Sequence, residues 1–190
     1  MSIPKKPRKC RVCKSDFQPS KPLQNVCGPE CAIKQAQAKR SKAERIAGIE
    51  DRKVIKAKLD KLKTARDWTK EAQIAFNAYI RARDASKPCI CCGLPLQSSS
   101  VGGDFDCGHY RSVGSAPHLR FDERNAHGQR KQCNRWGAGR AVDYRIGLIS
   151  RIGRESVESI EADQTPRKYS IEELKAIKAY YIAKTKELRK

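Results

Sequence analysis

The chain has 190 residues, with 41 lysines and arginines against 21 aspartates and glutamates and a net charge of +20. Self-repulsion of that size opposes a compact state and draws polyanions, so nucleic acid is the expected partner and an anionic membrane surface the weaker one. No apolar run approaches the roughly 20 residues of a spanning helix, and the basic, proline-rich start carries no secretory or lipidation signal; the expectation is a soluble protein of a reducing cytoplasm.

Nine cysteines would suggest disulfides in a secreted chain, whereas in a reducing compartment closely spaced pairs point to metal. Twelve aromatic residues imply a modest core, which zinc staples would support. The first such unit is Cys10-x2-Cys13 followed by Cys27-x3-Cys31, four thiolates that close a tetrahedral Zn²⁺ shell with no position left for chemistry. Residues 1–31 therefore read as a structural zinc knuckle, and unpaired thiols are the plainer alternative.

From Ala32 to Arg66 there is no proline and one glycine, Gly48, among strong helix formers. Ile33 to Asp67 holds twelve basic residues against five acidic ones, and Ile46, Ile49, Leu59 and Leu62 are too sparse for a buried face. Residues 32–67 read as a basic helical arm, either a solvated linker or a phosphate-tracking surface on which Lys53 and Lys56 would contact DNA. Trp68, Ala72, Phe76, Tyr79 and Ile80 then recur at helical spacing, with Thr69 placed to cap, and this stripe is expected in a core rather than on a stacking surface.

Residues 88–139 concentrate the chemistry. Cys89-x2-Cys92-Gly93 is one half of a zinc knuckle, and the other half offers only Cys133, because Arg130 stands where a first thiolate belongs. Cys107, Cys91 and His127 are the candidates for a fourth ligand; an incomplete site is the remaining alternative. Between the halves, His109 is able to take a proton from water near neutral pH. Asp106 is able to bind a hard cation such as Mg²⁺ or to orient the imidazole. Asn125 and Asn134 add amide oxygens, and Arg111, Arg120 and Arg124 are fitted to hold phosphates bidentately. Each residue alone has a plainer reading: a surface histidine, a turn asparagine, a helix cap. The joint pattern reads as a zinc-stapled unit of the ββα-metal, HNH-like type.

In the C-terminal third, Val142, Ile146, Ile149 and Ile152 are expected to form one apolar face, with Gly153 as the stop and a short helix over 155–161 after it. Ser170 and Glu173 form a capping box opening a last helix, where Leu174, Ile177, Tyr181 and Leu188 would pack on the core or pair with a second chain. The fold class is thus α+β, mainly helical, with residues 68–190 as the nuclease domain and its flanking helices.

These motifs, Cys-x2-Cys-Gly, Asp-x-Gly-His-Tyr-Arg, Leu-Arg-Phe-x-Glu-Arg-Asn-x-His and Gln-Cys-Asn, with Cys27-Gly-Pro-Glu-Cys31 and the last helix, resemble the NinG/Rap family of lambdoid phages over nearly the whole chain. The resemblance implies a Mg²⁺-dependent, structure-specific endonuclease acting on branched recombination intermediates such as Holliday junctions and D-loops, within a bacterial host. It implies His109 as general base, Asp106 and Asn134 on the metal side, Asn125 as positioning amide, and Cys89, Cys92 and Cys133 as zinc ligands. Arg130 departs from the family pattern, and Cys107 is the residue that would compensate. That departure sustains an alternative: a DNA-binding zinc protein without catalysis that recruits host recombination proteins. A basic zinc protein acting on RNA or ribosomes fits the charge but leaves Asp106, His109 and Asn134 unexplained. Two symmetric cuts in a four-way junction would suit a homodimer.

Overall fold

The structure, a computed structural model, describes residues 6–96 and 105–189; Met1 to Lys5 of the proline-rich start lie outside the described residues. Two compact units divide the chain, Met1–Leu62 and Lys63–Lys190.

In the first unit, β1 (Arg8–Lys9) pairs antiparallel with β2 (Asp16–Phe17). The turn between them holds Cys10 and Cys13 and is closed by Lys14 at positive φ. Helix α1 (Pro29–Leu62) follows, 34 residues long, and buries none of them. At 1.5 Å per residue it extends about 50 Å. Proline at the helix start costs no hydrogen bond, since that N–H has no intrahelical acceptor.

In the second unit, α2 (Ala65–Asp84) starts three residues before Trp68. Its cap is Thr64 rather than Thr69. The Thr64 hydroxyl accepts from the Asp67 N–H, and the Asp67 carboxylate accepts from the Thr64 N–H at 3.0 Å. A carboxylate at the third helical position makes Thr64 the better cap, and Thr69 instead donates to the Ala65 carbonyl inside the helix. The expected stripe of Trp68, Ala72, Phe76, Tyr79 and Ile80 is buried, together with Ala75 and Asp84.

That stripe packs on α5 (Ile171–Glu187), which opens on the Ser170–Glu173 capping box. Phe76 meets Tyr181 edge-on at 4.9 Å, and Tyr181 donates to the Phe121 carbonyl. Leu174 and Tyr181 are buried and Ile177 half-buried, so α5 uses its apolar face within the chain. Leu188 does not join them: it caps the end of the helix, exposed.

Strands β3 (Phe105–His109) and β4 (Ala126–Arg130) form an antiparallel pair with Asp106 opposite Gln129 and His109 opposite Ala126. One π-helical turn, Gln132–Trp136, follows β4 and is closed by the Gly137 N–H on the Gln132 carbonyl at 2.9 Å. Then come α3 (Ala141–Ile152) and α4 (Arg154–Ala162), joined at Gly153, whose positive φ suits glycine. The buried face of α3 is Tyr144 and Leu148, packed with Ile90 and Val157, while Val142 and Ile146 are exposed. Of the expected face, Ile149 and Ile152 pack against this cluster and Val142 and Ile146 do not, so the face is rotated. A helix with two apolar stripes turns inward the one carrying the larger ring, whose hydroxyl also reaches the Gly108 carbonyl at 2.9 Å. Any Cβ at Gly147 would collide with the Ile90 carbonyl, so α3 lies directly on the Cys89–Cys92 loop.

Candidate functional site

Two cysteine clusters stand out. In the first unit the sulfurs of Cys10, Cys13, Cys27 and Cys31 lie within 4.8 Å of one another. The β1–β2 turn supplies one pair; the approach to α1 and its first turn supply the other, with 3.5 Å between the Cys13 and Cys27 sulfurs and 3.5 Å between those of Cys27 and Cys31. Backbone and hydroxyl donors point at the sulfurs: the Cys27 N–H reaches Cys10 and the Ser15 hydroxyl reaches Cys13. Such donors stabilise thiolates, the form that binds metal.

In the second unit Cys89, Cys92 and Cys133 form a three-sulfur cluster within the same distance. The Arg130 backbone N–H donates to the Cys89 sulfur at 3.3 Å. The residue standing in the place of a thiolate thus supplies a donor to one. A hydrogen bond with Cys91, then the backbone N–H of Arg130, holds the Cys89 thiol down at about 4 against the cost of burial. The three further candidates lie differently. Cys91 accepts from the Gln129 amide at 2.9 Å and faces the Gly139 carbonyl. His127 is buried, with Nδ1 3.1 Å from the Arg83 guanidinium and Nε2 3.1 Å from the Arg124 carbonyl. Cys107 packs against the α2 core, and burial pushes its thiol up to about 12.

The hairpin arranges the remaining residues. Alternation along β3 puts Asp106 and Gly108 on one face and Cys107 and His109 on the other. On the first face, the Asn134 amide donates to Asp106 Oδ2 at 3.2 Å, and Arg135 donates to both carboxylate oxygens at 2.8 and 3.1 Å. Burial works to raise the Asp106 carboxyl, but the Arg135 and Asn134 hydrogen bonds outweigh it and leave the group below its ordinary value, ionised. On the second face, His109 lies 5.9 Å from the Phe76 ring, with Nε2 3.1 Å from the Arg120 carbonyl oxygen. A carbonyl only accepts, so Nε2 carries the proton and Nδ1 the lone pair. Burial pushes the imidazole pKa down.

Asn125 is buried in the loop between the strands. Its side-chain oxygen accepts from the Arg111 N–H at 2.8 Å, and its amide donates to the Arg111 and Leu119 carbonyls. It ties the two ends of that loop together, which fixes where His109 ends β3 and where Arg120 lies. Arg111 donates to the carbonyls of Ile160 and Asp163 at the end of α4. Arg120 reaches Gln73 and shares an open groove with Arg66, Thr69, Lys70 and Ile74. Arg124 clamps Asp122. In the first unit, Lys53 pairs with Glu50 on α1, and Lys56 is exposed there.

Three contributors escape sequence reading. Asp84, fully buried at the end of α2, accepts from Arg83 and from the Gly128 N–H. Arg135 is the partner of Asp106. Trp136 stands exposed one residue further on. Only the last has a local signal, a tryptophan directly after Cys133-Asn134-Arg135.

The architecture defines a strongly basic, mainly helical protein with small sheets and two cysteine clusters able to hold metal. No helix among the described residues is long and apolar enough to cross a membrane. The chain belongs to the NinG family: the family model described as "Bacteriophage Lambda NinG protein" matches residues 1–190. It is similar to Protein ninG of Escherichia phage lambda, 43% identical over 195 aligned residues that cover 96% of this chain and 93% of the relative. Protein ninG of Escherichia phage 933W is 42% identical over 193 aligned residues, covering 96% and 94%. Protein ninG of Salmonella phage P22 is 42% identical over 195, with the same coverage. No solved structure matches the chain.

Proposed function

We propose that this protein is a structure-specific endonuclease that cleaves branched DNA recombination intermediates by metal-assisted phosphodiester hydrolysis in the cytoplasm of a bacterial host. The observation that carries the reading is the Asp106–Asn134 pair: an ionised carboxylate and an amide from separate elements, brought together beside the Cys89–Cys92–Cys133 staple. These donors fit a hard divalent cation such as Mg²⁺, with the exposed Arg135 side chain free to swing off the carboxylate. When bound, such a cation supplies charge stabilisation on the scissile phosphate and the departing 3′ oxygen. His109, neutral and with Nδ1 unprotonated, takes the proton of the attacking water. Asn125 and the Arg120 carbonyl hold the loop and the ring in place, and exposed basic side chains on both units bind phosphate without reading sequence. Zinc in the two cysteine clusters is structural. A second chain would supply the second cut of a four-way junction.

A second reading is favoured by two features of the same residues. Arg135 occupies both oxygens of Asp106, and His109 stands on the opposite face of β3. A DNA-binding protein without catalysis, recruiting host recombination proteins, fits that arrangement.

The test is incubation of purified protein with a labelled four-way junction or a linear duplex, in Mg²⁺ or EDTA. Junction cleavage that His109→Ala and Asp106→Asn abolish, while junction binding survives, supports the first reading. Binding without cleavage across Mg²⁺, Mn²⁺ and Ca²⁺ supports the second.

A further inference from the structure

The two tryptophans occupy opposite environments. Trp68 is 5% exposed and lies beneath the ammonium groups of Lys63, Lys175 and Lys178, whereas Trp136 is 78% exposed. Among the described residues the Trp136 ring has no aromatic or cationic partner. Tryptophan left this open forgoes a large apolar burial and keeps a ring face available for stacking.

Its setting says which. Trp136 ends the π-helical turn that also carries Cys133, Asn134 and Arg135. That turn is tied at both ends: Cys133 lies in the three-sulfur cluster, and the Gly137 N–H closes onto the Gln132 carbonyl. Single π turns are rare overall and frequent at functional sites. Two residues back, Asn134 meets Asp106. Arg135 and Arg140 flank the ring in sequence, both exposed and each paired with a carboxylate, Asp106 and Asp143 respectively.

An exposed aromatic face on a strongly basic protein is the chemistry of a base-stacking platform. A continuous duplex has no free base face to offer, because every base is covered by its neighbours. A base at a branch point, or one left unpaired, does. A protein partner would also cover an exposed tryptophan, but the net charge of +20 favours a polyanion over a protein surface.

We infer that Trp136 stacks on an unpaired or branch-point base of DNA and so contributes the preference for branched over linear DNA. This rests on the reading of the protein as acting on branched DNA, and the experiment below separates the two. In EDTA, where no cleavage occurs, the full-length protein, Trp136→Ala and Trp136→Phe are titrated with a four-way junction and a linear duplex of equal length. Binding is read by anisotropy, and tryptophan emission is recorded in parallel.

Junction DNA is expected to quench the red-edge, solvent-exposed emission of the wild type. Trp136→Ala should weaken junction binding roughly tenfold, the share of one stacked base, with duplex binding unchanged and Trp136→Phe recovering most of the loss. Because the ring is exposed, the melting temperature of both variants should match that of the wild type. Junction affinity unaffected by Trp136→Ala, or an equal loss on junction and duplex, overturns the inference. If the affinity pattern holds while Mg²⁺ brings no cleavage, the stacking role stands and the nuclease reading fails. Cleavage with no Trp136 dependence of binding gives the reverse.

Discussion

Nε2 of His109 lies 3.1 Å from the carbonyl oxygen of Arg120, a contact that requires the proton on Nε2 and leaves Nδ1 as the basic atom. Burial against Phe76 penalises the imidazolium, so the pKa of His109 falls below its ordinary value near 6.5. The neutral ring is therefore present throughout the physiological range. Because the folded-state pKa is depressed, its contribution to stability is present above the unfolded value and lost as pH falls through the folded one. We expect the C2 proton of His109 to titrate with a midpoint below 6.5 in an NMR pH series, and any cleavage to keep more than half of its plateau rate at pH 6.5. A midpoint above 6.5 would show that the ring is not held as described.

The Asp84 carboxylate at the end of α2 is fully buried and charged. It accepts from Arg83 Nε at 2.9 Å and Nη2 at 2.8 Å, from the Gly128 N–H at 2.9 Å, and pairs with Lys87 at 3.0 Å. Burial opposes its charge, yet His127 and Arg83 outweigh that and push the carboxyl far below its ordinary value. It ties α2 to β4 beneath the hairpin. Truncating one member of a buried pair leaves the partner charges uncompensated, so Asp84→Ala should cost about 3–5 kcal/mol in urea unfolding. Asp84→Asn, which keeps one acceptor oxygen, should lose less. The sign of the shift makes this stability present above the ordinary carboxylate range and lost as pH falls below it. An Asp84→Ala protein as stable as wild type would remove the network from the account.

How much of this was legible in the sequence depended on whether a signal is local. Cysteine spacing located both clusters, because a metal's ligands come in short-range pairs. Helical period located the α2 stripe, and the Ser170–Glu173 box located the start of α5. Asp84 gave no such signal: Arg83 and Lys87 lie near it in the chain, but the Gly128 N–H that it holds lies more than 40 residues away, and an aspartate near a helix end reads as solvated. Arg111 looked like a phosphate ligand from its neighbours in the chain, but its guanidinium meets the carbonyls that end α4, about 50 residues further on. Those carbonyls lack intrahelical donors, and an arginine fork satisfies several at once. On α3 the apolar residues outnumber the places in the core, so composition alone left open which stripe faces inward.

Arg135 covers the Asp106 carboxylate. Its guanidinium takes both carboxylate oxygens and, with Asn134, keeps the group ionised. Removing it frees Oδ1, leaves Oδ2 with the Asn134 amide alone, and takes away a positive charge beside the carboxylate. We expect Arg135→Ala to bind Mn²⁺ more tightly, by roughly threefold in an EPR titration, the modest change that suits an exposed ion pair. Asp106→Asn should abolish that binding in either background. Unchanged Mn²⁺ affinity in Arg135→Ala would show that the cation does not use this carboxylate.

The cysteine clusters make separable predictions because they lie in different compact units. Zinc analysis of the purified full-length protein should return two equivalents per chain. Cys13→Ser should return one and leave the melting of the second unit in place, since that unit's core is built from α2, α5 and the hairpin. Cys133→Ser should also return one but lower the melting of the second unit, because Cys133 joins the π turn to the Cys89–Cys92 loop and so supports α3 from below. Cys107→Ser should keep both equivalents, as Cys107 packs against α2 rather than among the sulfurs. Cys91→Ser decides how the three-sulfur shell is completed. Its sulfur is held by the Gln129 amide and faces the Gly139 carbonyl, so the expected outcome is retention of both equivalents. Loss of one equivalent in Cys91→Ser would instead assign the fourth position to Cys91 and require its side chain to leave Gln129 when metal binds.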